Sequence, residues 1–326
     1  MADPSGFSVR PAKSSDEVFD LWWPHMQSLG WNRARNDHAT HWHSSGGAYL
    51  VLTRSPPPSP SGPPAPPVGV VLPVAHANRA GWIGFFVVDA AHRGGGGGAL
   101  LLRAALDALA RRGVDRVGLD AVLQQVPTYG RRGFVEAGRV RLCVTKRIED
   151  LVVPAEIAEE VEAPAGLRAL GEVEPARVVA ADERATGLRR TALWTDELLV
   201  RREDAWGFAV EAEEGGEVLG FVLVRGCQDG YRVGPLYAAR REWAKALLFE
   251  VMKKIKQLGS AAEGKSLVAE VWGENPEAVK VFEELGWEYS GIDYARMWLD
   301  GKATEAQKKG GVAEKEVFAW FDAGEG

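Results

Sequence analysis

The chain alternates between two hydrophobic rhythms. FSVRPA, AYLVLTR and the long stretch VGVVLPVAHANRAGWIGFFVVD have strand character, whereas residues 15–30 carry Phe19, Leu21, Trp22 and Met26 at helical spacing, with Ser15 placed as N-cap. After Asp89 the period lengthens, and Leu101, Leu102, Ala105 and Leu109 predict a helix over 97–112 that Gly113 is placed to end. DRVGLDAV then reads as a strand, QVPTYGRRGF as a short helix with a turn, and EAGRVRLCVTKR as a closing strand.

The second half repeats this order. Residues 167–202 are helix-rich, WGFAVEAEEGGEVLGFVLVRG is a hairpin turning at Gly215-Gly216, and YRVGPLYA is a strand. An amphipathic helix over 242–258, the strand SLVAEVW, a short helix over 276–284 and EYSGIDYARMWL as a hairpin or strand follow, with KKGGVAEKEVFAWF as the last strand. YGRRGF at 129–134 aligns with FEELGW at 282–287, and an internal duplication is the economical explanation. Two punctuated stretches interrupt the pattern. The Pro-rich segment 55–67 reads as a long hairpin insertion without chemistry, and the acidic, Pro-containing segment 148–164 marks a boundary between domains 1–148 and 165–326.

Composition narrows the function. A 326-residue chain with 46% hydrophobic and 26% charged residues has enough apolar content for two cores, and no apolar run reaches the length of a membrane span. The start MADPSGF lacks the order of a signal peptide, and Cys143 and Cys227 make no disulfide framework, so a reducing, cytoplasmic or nuclear setting is the expectation. The net charge of −6 is divided unevenly. Residues 1–150 hold 17 Lys and Arg against 12 Asp and Glu, a balance of +5, and the remainder is at −11. The basic half suits an anionic ligand, while the acidic half argues against a nucleic-acid surface.

The anionic ligand has an obvious candidate seat in HRGGGGGALL, residues 92–101. These glycines follow a strand by five residues and flow directly into a helix, which is unlike a linker. A P-loop needs Lys and Ser or Thr after its last glycine, and Ala99-Leu100 stands there. A dinucleotide fingerprint needs its glycines closer to the strand and a second βαβ half, although Asp120 lies where a ribose-binding acid would sit. FFVVDAAHRGGGGGALL instead resembles the acetyl-CoA loop of the GNAT superfamily of N-acetyltransferases, with Arg93, Gly96 and Gly98 in the pattern positions. Unpaired N–H groups and the positive dipole end at a helix start attract a pyrophosphate, and glycines let the backbone approach it.

The resemblance extends to two-lobed members with an active N-terminal and a degenerate C-terminal lobe, on LGWN at 29–32 followed by Asp37, GLDAV at 118–122 and RVGPLYA at 232–238. It implies an α/β (α+β) fold of tandem lobes, each a mixed, mostly antiparallel twisted sheet flanked by helices. It also implies acetyl-CoA as co-substrate, lying in a splayed gap between the strand ending Phe86-Val87-Val88 and the strand 114–122. Backbone groups at 86–88 would pair with the pantetheine amides, and Arg93 with Gly94, Gly95, Gly96, Gly97 and Gly98 would hold the pyrophosphate. Within the loop Gly96 and Gly98 are the positions that matter, Gly95 and Gly97 being incidental.

Tyr129 stands where the family's Tyr protonates the departing thiolate, and Asp120 is the candidate base or water-holding group. An amine acceptor would attack the thioester directly, in a pocket shaped by Trp31 and Asn32 with Asp37 facing a cationic amine. Many GNAT proteins carry an Asn seven residues before the Tyr, and this chain has Val122 there. The second half has Asn275 but Phe282 in place of the Tyr, and ARRE at 239–242 in place of the glycine loop, which implies lost acetyl-CoA binding. His38, His41 and His43 lack a further ligand for a metal set, and solvated loop histidines are expected. A non-catalytic acyl-CoA sensor or interaction module, and more remotely a nicotinamide-dependent oxidoreductase, are the competing classes.

Overall fold

The computed structural model describes residues 6–55, 66–145, 147–150, 161, 163–259 and 264–326. Its first half runs β1 (Phe7–Pro11), α1 (Ser15–Ser28), α2 (Asp37–Ser45), β2 (Leu50–Arg54), β3 (Gly69–Ala75), β4 (Ala80–Val88), α3 (Gly97–Arg111), β5 (Arg116–Val122), α4 (Val126–Gly130) and β6 (Phe134–Thr145). The helix α1 is capped by Ser14 and not by Ser15. Ser14 has the extended backbone an N-cap needs (φ −159°, ψ 167°), and its hydroxyl accepts from the Glu17 amide at 3.2 Å. The helix α3 ends as its sequence requires, with Gly113 at φ +76°. Strands β2 and β3 pair antiparallel on either side of the Pro-rich insertion, and residues 56–65 of that insertion lie outside the described residues.

The second half runs β7 (Leu167–Ala169), α5 (Pro175–Thr186), β8 (Ala205–Glu211), β9 (Val218–Cys227), β10 (Gly230–Ala238), α6 (Arg241–Gln257), β11 (Leu267–Trp272), α7 (Pro276–Glu284), β12 (Glu288–Leu299) and β13 (Val317–Ala319). The stretch 167–202 is less helical than its pattern suggests. It holds α5, a π-helical turn at Glu197–Arg201 and the short strand β7. EYSGIDYARMWL is one strand with irregularities after Tyr289 and Arg296, not a hairpin.

Among the described residues all thirteen strands join one sheet in the order β1-β2-β3-β4-β5-β12-β6-β11-β13-β10-β9-β8-β7, mostly antiparallel. The two halves exchange their closing strands. Strand β12 of the second half pairs with β5 of the first, and β6 of the first pairs with β11 of the second. The sequence boundary at 148–164, of which residues 151–160 and 162 lie outside the described residues, therefore does not coincide with a gap in the sheet.

Helices cover both faces. On one face of the first half, Leu101, Leu102, Ala105 and Leu109 of α3 are buried against Ile83, Val117 and Leu119. On the other, Val18, Trp22 and Met26 of α1 pack on Val51, Val70, Trp82 and Phe85. In the second half, α6 and α7 cover one face, and α5 with Trp194 and Trp320 covers the other. Burying each large apolar side chain contributes about 1.5–3 kcal/mol, so these faces fix which side of β4 the chain presents to each helix layer.

Candidate active site

The site is built around a fault in β4. Val70 pairs with Val87 and Leu72 with Gly84, so Val71 alone faces both Phe85 and Phe86. This is a β-bulge, and Phe85 sits at φ +46° within it. The extra residue shifts the side-chain alternation. Trp82, Phe85 and Val87 face the α1–α2 layer, while Ile83 and Val88 are buried toward α3 with Phe86 packed against them. The parallel pairing of β4 with β5 covers only Ala80, Gly81 and Trp82 opposite Arg116, Val117 and Gly118. Beyond it, residues 83–88 and 119–122 carry no pairing with each other, the gap that the resemblance implies.

The glycine run forms the approach to α3 beside this gap. Gly94 and Gly96 adopt φ +82° and +87°, a region that costs an L-residue roughly 1–2 kcal/mol, and Gly96 is the N-cap. The first intrahelical bond is donated by Leu100 to Gly96, so the amides of Gly97, Gly98 and Ala99 begin the helix as its unpaired donors. Gly97 is not incidental. A Cβ there would lie 2.8 Å from the Leu52 side chain and 3.1 Å from the Phe7 ring, so the helix start rests directly on β1 and β2. Gly98 is the roomier position, its nearest neighbour being the Phe86 ring at 3.7 Å, and Gly95 would meet only the Phe7 ring edge at 3.3 Å. Arg93 is exposed, and its Nε donates to the Val88 carbonyl at 2.9 Å, tying the loop to the end of β4.

Phe86 joins the loop to Tyr129. Its half-buried ring faces Gly98 and meets the Tyr129 ring edge-on at 6.3 Å, and Phe134 closes on Tyr129 from the other side at 5.8 Å. Burial raises the Tyr129 phenol above its ordinary value, so it stays protonated near neutral pH. Gly98, Phe86 and Tyr129 are thus brought together, with Val87 and Val88 following on the same strand.

The remaining sequence-derived residues are placed elsewhere. Both oxygens of Asp120 are held by Arg296, at 2.9 and 2.7 Å, and both side chains are 0% exposed. Arg296 comes from β12 and lies over the Trp320 ring at 3.6 Å and the Trp82 ring at 4.7 Å. Trp31 is half-buried against the α1–α2 core. The Asn32 side chain exchanges two hydrogen bonds with the Asp229 backbone, at 3.0 and 2.9 Å, and so ties its loop to the second half. Asp37 is buried, with Arg202 at 2.8 Å and Arg225 at 3.8 Å, and these arginines hold its carboxyl at about 2 against the cost of burial.

Asp37 belongs to a buried ionic cluster between the halves that sequence reading missed. Arg33 and Arg225 lie 2.9 and 3.0 Å from Asp322, and Arg232 lies 2.8 Å from Glu270. Charged residues spread from 33 to 325 carry no local signature of such a meeting; the one available signal was the placement of Arg225, Arg232 and Glu270 on strands that must be covered. The histidines also differ from expectation. They lie on α2, not in a solvated loop, and although His43 is exposed and His38 half-buried, His41 is fully enclosed with Nδ1 2.6 Å from Glu325. Among the described residues no group of three or more His, Cys, Asp or Glu is arranged to hold a metal ion, and no helix is long and apolar enough to cross a membrane.

The corresponding region of the second half is spent on structure. Asn275 caps α7 by accepting from the Glu277 amide at 3.0 Å and donates to the Val317 carbonyl at 2.9 Å. Phe282 is buried edge-on to Trp287, and Arg241 at the start of α6 is paired with Glu277 and Glu284.

Comparison with known proteins agrees with this layout. Residues 16–134 match the model of the acetyltransferase (GNAT) family, and residues 178–310 match that of the acetyltransferase (GNAT) domain. The holothin acyltransferase of Pseudoalteromonas sp. (strain SANK 73390) is 30% identical over 191 residues, 59% of this chain and 59% of its own length. Among solved structures, a proposed acetyltransferase from Pyrococcus horikoshii superposes with a TM-score of 0.71 at 21% identity, covering 100% of this chain and 98% of that one. A tandem GNAT protein from the clavulanic acid biosynthesis pathway superposes with a TM-score of 0.60 at 12% identity, covering 90% and 98%. With the glycine loop, the bulged strand and two matched domains in one continuous sheet, this chain belongs to the GNAT superfamily and carries two of its domains in tandem.

Proposed function

We propose that the first half is an N-acyltransferase that uses acetyl-CoA, and that the second half has lost donor binding and serves to complete the fold. The observation that carries this reading is the junction at Phe86, whose ring stands next to the Gly98 position, where an added Cβ would meet it at 3.7 Å, and is edge-on to Tyr129, beside the unpaired stretch of β4. The pyrophosphate sits on the free amides of Gly97 to Ala99 with Arg93 beside it, and backbone groups at 86–88 pair with the pantetheine amides. The amine nitrogen attacks the thioester carbonyl, the C–N bond forms and the C–S bond breaks. The departing thiolate takes the Tyr129 hydroxyl proton, which burial keeps in place until that moment.

Asp120 enters this reading as the anchor of β5 on β12, because accepting a proton would dismantle its pair with Arg296. The acceptor approaches from the α1–α2 side, where the loop carrying Trp31, Asn32 and Asp37 meets the second half. Its amine is a small molecule or a lysine, and nucleic acid is disfavoured by the acidic second half. The relative named as a holothin acyltransferase supports acyl transfer and leaves room for a donor longer than acetyl. Two free cysteines, Cys143 and Cys227, support a reducing, cytoplasmic setting. The test is thiol release from acetyl-CoA across a panel of amines, with CoA-induced stabilisation measured alongside. CoA raises the melting temperature of the wild type, and Gly96→Glu abolishes the rise; no rise at millimolar CoA overturns the reading. A CoA-binding protein in which Tyr129→Phe changes no measured activity is instead an acyl-CoA sensor.

A further inference from the structure

Acyl transfer to an amine requires a group that removes the amine's proton, since an alkylammonium with a pKa near ~10 is no nucleophile at pH 7. With Asp120 committed to Arg296, the other concentration of proton-handling groups beside β4 lies where the segment 320–326 crosses its α1–α2 face. We propose that His41 takes the proton of the acceptor amine and that Glu325 orients it, an inference that rests on the acyl-transfer reading.

The geometry is that of an oriented base. His41 Nδ1 lies 2.6 Å from Glu325 Oε1, and the same oxygen accepts the Ser44 hydroxyl. A carboxylate there receives Nδ1–H and leaves the lone pair on Nε2. His41 Nε2 is buried without a hydrogen-bond partner, as are Glu325 Oε2 and the Tyr49 hydroxyl. Three unpartnered polar atoms in one enclosed region are costly, and an ammonium group supplies the donors that Nε2 and Oε2 lack. The imidazole packs edge-on against Phe85 at 4.8 Å, at the bulge where β4 has parted from β5. His41 therefore stands across β4 from Tyr129, base and acid on opposite faces of the strand that would hold the thioester.

The surrounding charges are already paired. Asp322 Oδ2 is 3.5 Å from Nε2, within reach of a protonated ring but making no hydrogen bond to it, and is held by Arg33 and Arg225. On the same helix, Asp37 is held by Arg202 and His38 bonds the Arg35 carbonyl. The site is closed in this state. Gly324 lies so close to Gly84 that a Cβ on Gly84 would sit 2.1 Å from its carbonyl oxygen, and Ala323 is the one residue of 321–326 that is not buried. The Ala323-Gly324 turn, whose Ala323 carbonyl accepts from Trp82 Nε1 at 3.0 Å, is the cover that an acceptor would have to displace to reach His41. In the step, the ammonium proton passes to Nε2, the freed nitrogen lone pair forms the C–N bond as the C–S bond breaks, and the Tyr129 hydroxyl protonates the departing thiolate; the second proton that the nitrogen sheds on becoming an amide restores Tyr129 by way of solvent, and the imidazolium returns its proton to solvent.

The test compares His41→Gln and Glu325→Gln with the wild type, using acetyl-CoA and two acceptors: a primary alkylamine, protonated at pH 7, and an arylamine, unprotonated at pH 7. The expected result for His41→Gln is a loss of about 100-fold or more in kcat with the alkylamine at pH 7, narrowing as pH rises toward 10, and near wild-type rates with the arylamine. CoA-induced stabilisation stays intact in both variants. Glu325→Gln, which keeps shape and removes charge, guards against a His41 variant that fails to fold. It gives the same selective loss. Independently of activity, 15N NMR of His41 at pH 7 shows a neutral ring protonated on Nδ1. Equal losses with both amines, an unchanged alkylamine rate, or an imidazolium or Nε2–H ring overturns the proposal. Failure of the underlying reading shows separately, as a wild type that releases thiol with neither amine.

Discussion

Replacing Asp120 with Asn separates a structural carboxylate from a chemical one. In the native chain the Asp120–Arg296 pair spans β5 and β12, is 0% exposed on both sides and makes two hydrogen bonds. Removing one partner of a buried pair leaves an uncompensated charge and costs about 3–5 kcal/mol. Arg296 keeps part of its stabilisation, because it remains stacked over Trp320 at 3.6 Å and Trp82 at 4.7 Å, and a desolvated cation–π contact contributes on the order of 2 kcal/mol. The expected loss is therefore at the low end, about 3 kcal/mol, or roughly 6–12 °C at 2–4 °C per kcal/mol. Urea unfolding and thermal melts measure it, and thiol release reports activity under conditions where the variant remains folded. A double variant with Arg296→Met recovers most of the loss, because exchanging a buried pair for apolar volume is close to neutral. Stability unchanged within about 0.5 kcal/mol, with the rate abolished, would refute this reasoning and return Asp120 to the chemistry.

Other expectations follow from the same geometry. Gly95→Ala is tolerated in CoA binding, whereas Gly96→Ala, forced to φ +87°, costs roughly 1–2 kcal/mol of stability and weakens binding in a calorimetric titration. Gly97→Ala is also harmful, because its Cβ would press on Leu52 and Phe7, and equal tolerance at 95 and 97 would contradict the packing at the helix start. Tyr129→Phe lowers kcat about 100-fold or more while leaving CoA-induced stabilisation in place, read from steady-state kinetics and melts. His76 is buried, and desolvation lowers its pKa to about 3. Below its unfolded value near 6.5 the unfolded chain binds the extra proton, so this contribution is present above pH 6.5 and is lost as pH falls, by at most ~1.4 kcal/mol per pH unit. A His76→Gln variant whose melting temperature falls between pH 7 and pH 5 as steeply as the wild type would contradict that assignment.

What could be read from residues alone was what local chemistry dictates. The helix over 97–112 declares itself by Leu101, Leu102, Ala105 and Leu109, and the glycines before it by their conformational freedom. The value of Gly97 was not legible, because it depends on Phe7 and Leu52 from distant strands. The exchange of β6 and β12 was equally hidden, since a strand's period does not name its neighbour. Asp120 at the end of a strand has the same sequence appearance whether it faces a substrate or an arginine 176 residues away. The histidines of α2 were misread for a similar reason, as the partner that encloses His41 lies 284 residues downstream.

The central claim is one working donor site in the first half of the chain and none in the second. Titration of acetyl-CoA into the whole chain, with heat or intrinsic Trp fluorescence as the signal, tests it most directly. One site per chain is predicted, abolished by Gly96→Glu and unaffected by Arg241→Ala at the start of α6. Two sites per chain, or one that survives Gly96→Glu, would contradict it.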